Sequence, residues 1–138
     1  MTFEEGLSEK VPKVLQEFLE KVRRDTAILA IILFGSYARN EASRLSDIDV
    51  CLVFSGRSMS RTEMMHRRLD YLAEFPLLDI QVFQLLPLYI RRRVLREGKV
   101  LYARDEDALY ELAYATAKAF EDLKHMYYDY LEGVTHGS

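Results

Sequence analysis

Eight consecutive apolar residues, Ala27-Ile28-Leu29-Ala30-Ile31-Ile32-Leu33-Phe34, run without a charge into Gly35-Ser36. A run this short, rich in β-branched residues and closed by glycine, is the pattern of a strand buried on both faces, which needs helices packed above and below it. Ahead of it, Val11, Val14, Leu15, Phe18, Leu19 and Val22 recur at three- and four-residue spacing, predicting an amphipathic helix with Pro12 in its first turn. A second apolar run over 48–54 stops at Ser55-Gly56 and predicts a second strand. Ser60 and Glu63 have the spacing of a capping box, and Met64, Met65, Leu69, Leu72 and Ala73 are expected to form the buried face of the helix that follows, ended by Pro76.

Residues 77–86 predict a third strand, Pro87 opens a helix through Glu97 that Gly98 stops, and 100–103 predict a short edge strand. Asp105 is an N-cap candidate for a last helix with Leu109, Leu112, Ala113, Thr116, Ala117, Phe120, Leu123, Tyr127 and Leu131 on one face. That helix would be roughly 40 Å long at its rise per residue, long enough for its end to reach a partner. The tail from Gly133 is expected to fray. The expected class is α/β (α+β), a small mixed sheet with helices packed on it and a long C-terminal helix, in one domain over 1–138.

Charge and composition narrow the function. A formal net charge of -3 in 138 residues argues against a protein whose work is non-specific binding of nucleic acid. The eight-residue apolar run falls well short of the ~20 residues that span a membrane, and the acidic N-terminus lacks the order of a signal peptide. The single Cys51 sits in an apolar run and reads as a buried, inert thiol. A cytoplasmic protein is the expectation. Arg91, Arg92, Arg93 and Arg96, with Arg67 and Arg68, read as solvated helix faces rather than as an RNA patch.

The segment from Leu33 to Val50 carries the chemistry. A buried strand ending in Gly35-Ser36 leaves backbone N–H groups aimed beyond the strand end, and Gly35 permits close approach of a phosphate to which the Ser36 hydroxyl adds a donor. Asp47 and Asp49, two apart at the start of the second strand, point to one side, while Ile48 and Val50 point to the other. Converging carboxylates repel, and a divalent cation with a preference for oxygen, Mg²⁺ or Mn²⁺, relieves that repulsion. Asp79 begins the third strand in an apolar setting and asks for a partner; if the third strand lies beside the second, it completes a carboxylate triad able to hold two metal ions.

Gly35-Ser36, ten intervening residues and Asp47-Ile48-Asp49 resemble the signature of the polymerase beta-like nucleotidyltransferase superfamily. Ala38, Arg39, Ala42 and the Ser46-Asp47 pair also match the form typical of its minimal nucleotidyltransferases, with Asn40 where that pattern usually has glycine. The resemblance implies that Gly35, Ser36, Arg39 and Ser46 hold the phosphates of ATP and that Asp47, Asp49 and Asp79 bind Mg²⁺ and catalyse transfer. Minimal members resemble antitoxins that silence a partner HEPN-domain ribonuclease toxin by moving AMP onto one of its tyrosines. That activity, with a HEPN toxin as partner and ATP as co-substrate, is the expected function. Masking of the toxin by contact alone, and transfer to a small molecule such as an aminoglycoside by a dimer, are the alternatives.

Overall fold

The computed structural model describes residues 12–35, 38, 48–55 and 59–135. In chain order the elements are α1 (Lys13–Arg23), β1 (Ile28–Phe34), β2 (Ile48–Phe54), α2 (Arg61–Glu74), β3 (Leu78–Val82), a 3-10 turn (Phe83–Leu85), α3 (Leu88–Glu97), β4 (Lys99–Ala103) and α4 (Glu106–Thr135). The strands form one sheet of order β3-β2-β1-β4. β1 is antiparallel to both β2 and β4, and β2 is parallel to β3, so the sheet is mixed. The crossover that a parallel pair requires is α2.

The apolar run of β1 occupies the second position from one edge and is buried on both faces, which is why it carries no polar alternation. Ile28, Ile31 and Leu33 pack with Leu15, Phe18 and Val22 of α1 and with Tyr71 and Phe75 at the end of α2. Leu29, Ala30 and Ile32 face Val94 of α3 and Leu109 of α4 instead. A register shift against β2 between Ile28 and Ala30 puts the neighbouring Leu29 and Ala30 into the same layer, as an extra residue in a strand does. Cys51 lies in the α3/α4 layer, and burial pushes its thiol far above the usual range, which makes it inert.

Three expectations need correction. The third strand stops at Val82, because the Gln84 side chain takes the place of a strand partner: its Nε2 donates to the Phe54 carbonyl at 2.7 Å, and its Oε1 accepts from the Phe54 N–H at 3.2 Å. In α2, Met65 and Leu69 are exposed, and the packed face runs instead through Met64, Arg68, Tyr71 and Phe75. Its period was hidden by two polar-tipped side chains. Arg68 Nε donates to the Ile80 carbonyl at 2.6 Å, so its stem lies along the sheet while its head finishes a backbone bond. The last helix continues through Gly133 to Thr135 rather than fraying there.

Other local signals are realised. Ser60 accepts from the Glu63 N–H at 3.1 Å, and Asp105 Oδ1 accepts from the Ala108 N–H at 3.1 Å, each satisfying an orphan donor at a helix start. Among the described residues no helix is long and apolar enough to cross a membrane.

Asp25, in the turn before β1, ties the α1/α2 layer together. It accepts from Arg67 Nη2, from the Tyr71 hydroxyl at 2.6 Å and from the Ala27 N–H at 3.1 Å. Burial pushes the Asp25 carboxyl up, but the bonds from Arg67, Tyr71 and Ala27 outweigh it and hold the group below the usual carboxylate range. A carboxyl whose folded pKa is depressed contributes stability above its unfolded pKa and loses it as pH falls through the folded value. The melting temperature is therefore expected to fall as the solution is acidified from about pH 4, and Asp25→Asn should flatten that part of the profile. A profile unchanged by the substitution would remove Asp25 from the account.

Candidate active site

The site lies where β1 ends and β2 and β3 begin. In the parallel pair, Asp49 of β2 stands directly opposite Asp79 of β3, so the two carboxylates are neighbours on one face of the sheet. Phe34, the last residue of β1, is the antiparallel partner of Asp49. Both Asp49 and Asp79 are half-buried. Ile48 and Val50 belong to the α1/α2 core, and Cys51 and Val53 to the α3/α4 core, so the period of two turns Asp49 toward the α3/α4 side. The expectation that β3 lies beside β2 and brings Asp79 to the second-strand carboxylate is met.

Gly35 follows with φ +73, a left-handed conformation that side chains with a Cβ adopt at a cost of about 1–2 kcal/mol. A Cβ there would collide with Asp49 Oδ2 and lie 3.1 Å from Asp49 Cγ. Only glycine lets the backbone turn this closely over the carboxylate. Gly35→Ala is thus expected to displace the Asp49 carboxylate and to lower stability by about 1–2 kcal/mol, read as a fall in denaturation midpoint together with a changed NMR signal of the Asp49 carboxyl. Full retention of both would show that the turn relaxes without consequence. Ala38 is buried in the α1/α2 core.

Gln81 Nε2 donates to Asp79 Oδ1 at 3.0 Å, fixing one oxygen of that carboxylate from two residues along the same strand. Sequence reading did not single out Gln81. The signal was there, as a polar residue in phase with Asp79 on an apolar strand. Two adjacent carboxylates offering hard oxygen donors suit Mg²⁺ or Mn²⁺. Among the described residues no group of three or more His, Cys, Asp or Glu gathers to hold a metal. Asp47, the third member of the expected triad, lies outside the described residues, as do Ser36, Arg39 and Ser46.

A hollow of about 250 Å³ adjoins Gly35 and is bounded by Phe34, Ile90, Arg93, Val94 and Glu97. A larger groove of about 860 Å³ lies between α1 and the end of α2, lined in part by Glu17, Glu20, Asp25 and Glu74, and includes neither Gly35 nor either strand carboxylate. The smaller hollow is the one that adjoins the carboxylate end of the sheet.

Arg93 and Arg96 are exposed, as expected of solvated helix faces, whereas Arg67, Arg68 and Arg92 are partly buried against the body. Arg67 pairs with Asp25, Arg68 bonds a strand carbonyl, Arg92 lies 4.5 Å over the Phe120 ring, and Arg93 Nε donates to Glu97 at 3.0 Å. On α4, Leu109 and Thr116 are buried, but Leu123, Met126, Tyr127, Tyr128, Tyr130 and Leu131 are exposed. Its 30 residues span about 45 Å, and residues 121–132 of its distal half are exposed.

Comparison with known proteins agrees with this layout. The family model described as Polymerase beta, Nucleotidyltransferase matches residues 14–107. A Methanocaldococcus jannaschii protein named as a "putative protein adenylyltransferase" is 36% identical over 97 residues, 70% of this chain and 73% of the relative. A second protein of that organism with the same description is 30% identical over 107 residues, 67% of this chain and 71% of its own. Among solved structures, a toxin-antitoxin crystal structure with AMP-PNP has a chain that superposes with TM-score 0.63 at 20% identity, covering 87% of this chain and 98% of that one. A structure of a tri-AMPylated Shewanella oneidensis HEPN toxin in complex with MNT antitoxin has one that matches with TM-score 0.59 at 16% identity, covering 88% and 98%. At these identities the superpositions establish the fold.

Proposed function

The chain belongs to the polymerase beta nucleotidyltransferase family, and on that premise we propose that it is an antitoxin-type protein adenylyltransferase, moving AMP from ATP to a tyrosine hydroxyl of a HEPN-domain toxin in the cytoplasm. The observation that carries the reading is the juxtaposition of Asp49 and Asp79 beneath the Gly35 turn. The two relatives named as "putative protein adenylyltransferase" and the toxin-antitoxin folds support protein as the acceptor class.

Asp49 and Asp79, with Asp47, would hold Mg²⁺ or Mn²⁺; when bound, the ions stabilise charge on the transferring phosphoryl group. The turn at Gly35-Ser36, with Arg39 and Ser46, would hold the β and γ phosphates. Gly35 serves by bringing backbone against the phosphates where a Cβ would intrude on Asp49. Asp79, oriented by Gln81, would accept the proton of the attacking hydroxyl. The tyrosine oxygen then forms a bond to the α phosphorus, the bond from that phosphorus to the bridging oxygen of the β phosphate breaks, and pyrophosphate leaves with its electron pair.

The exposed apolar side chains on distal α4 favour a protein that docks there, and they also favour masking as the second reading. Incubation with each nucleoside triphosphate, Mg²⁺ and the product of the neighbouring gene, followed by intact mass measurement, separates the two. Added AMP on the partner is the expected result. A tight complex with no added mass would replace adenylylation by masking, and modification of an aminoglycoside alone would point to a small-molecule acceptor.

A further inference from the structure

We propose that the hollow between the Gly35 turn and α3 is the seat of the nucleobase, with Arg93 and Glu97 of its lining as positioning and specificity-determining residues. The inference rests on the nucleotide-transfer reading above and deepens it by assigning the end of the substrate that the phosphate turn and the carboxylates leave unassigned.

Location is the first argument. The hollow is bounded by Phe34, the last residue of β1, and by Gly35 after it, and Phe34 is the direct partner of Asp49. Asp49, like Cys51 and Val53 farther along β2, faces the α3/α4 side of the sheet, the side on which Ile90, Arg93, Val94 and Glu97 stand. A nucleotide whose phosphates rest on the Gly35 turn and whose α phosphorus faces Asp49 has this hollow immediately beside it.

The walls are the second argument. Phe34, Ile90 and Val94 offer apolar surface, and the ion pair of Arg93 with Glu97 lies among the lining residues. An apolar slot with a few polar groups at its edge suits a flat heteroaromatic ring, whose faces are apolar and whose edge hydrogen-bonds. A triphosphate would be poorly served there, since its charges require donors along its whole length. The planar guanidinium of Arg93 can stack on a ring face, and Glu97 both orients it and offers an acceptor to an exocyclic amine. About 250 Å³ is also below the ~300 Å³ at which pockets for whole drug-sized ligands begin, so the hollow fits one part of a nucleotide.

Preorganisation is the third. Gly98 closes α3 by donating its N–H to the Val94 carbonyl at 2.8 Å. A Cβ at Gly98 would meet Ile32 Cγ2 and the Val94 carbonyl at 2.5 Å and the Leu33 carbonyl at 3.1 Å, so the last turn of α3 is held directly against β1. β4 begins at once, with Lys99 paired to Leu33. The wall carrying Arg93 and Glu97 is thereby fixed relative to Gly35 before any ligand arrives.

Calorimetric titration with Mg-ATP and with Mg-tripolyphosphate tests this, using the wild-type chain, Ile90→Trp to fill the hollow and the exposed-site change Arg93→Gln, each checked for fold by circular dichroism. Both variants are expected to bind ATP about tenfold more weakly and to bind tripolyphosphate as the wild type does. Undiminished ATP binding in a folded Arg93→Gln protein would overturn the assignment while leaving nucleotide transfer standing. A parallel loss of tripolyphosphate binding would overturn it too, making the hollow a phosphate site. A wild-type chain that binds neither ligand would overturn the nucleotide reading itself, and the base seat with it.

Discussion

Asp49→Asn is expected to lower AMP transfer at least about a hundredfold while leaving the fold intact. The magnitude follows from the charge it removes: metal-assisted stabilisation of a transferring phosphoryl group amounts to several kcal/mol, and each 1.36 kcal/mol is about a factor of ten in rate. The change is nearly isosteric, so the contact with Gly35 and the β1 pairing opposite Phe34 are kept. Asp49 and Asp79 are register partners, and like charges that close disfavour each other. Neutralising one should abolish any rise in melting temperature on adding Mg²⁺. Asp79→Asn should behave likewise, since an asparagine oxygen can still accept from Gln81. Transfer retained in either variant, or a Mg²⁺-dependent rise in melting temperature that persists in both, would refute the pair as the metal site.

Phe18→Ala is expected to cost about 3–5 kcal/mol of stability. Phe18 is fully buried. Its ring meets Tyr71 edge-on at 5.7 Å and 74°, and Phe75 at 5.3 Å and 84°, so α1 is joined through it to the last turn of α2. Tyr71 is itself held by its hydroxyl on Asp25, which limits how far the layer can collapse into the cavity left behind. A loss below about 1.5 kcal/mol in denaturant titration would mean that the layer repacks freely, as volume-conserving exchanges in cores do. Because α2 leads directly into β3, a loosened α1/α2 layer should also weaken transfer by freeing Asp79, even though Phe18 lies on the opposite face of the sheet.

Most of the element order was legible because it is local. An uninterrupted apolar run closed by glycine, the Ser60 and Asp105 caps, and the Pro87 start and Gly98 stop of α3 are each set by a few adjacent residues, and each appears where expected. What failed was burial that depends on a distant partner. Arg68 and Tyr71 occupy the packed face of α2 because a strand carbonyl and Asp25 wait for their polar ends, while Met65 and Leu69, better core residues by type, face water. β3 ended early because Gln84 reached back thirty residues to close β2.

The site divides in the same way. The sequence by itself determined that Gly35, Asp49 and Asp79 sit at strand ends and that Asp49 points away from Ile48 and Val50, because side chains alternate with a fixed period along a strand. Only the tertiary structure decided that β3 pairs with β2 in the register that sets Asp79 opposite Asp49, and that α3 is clamped against β1 to wall a hollow beside Gly35. Alternation is a property of the local backbone. Register and clamping come from hydrogen bonds and close contacts between segments far apart in the chain, where many pairings satisfy the same pattern of apolar and polar residues and only packing selects among them.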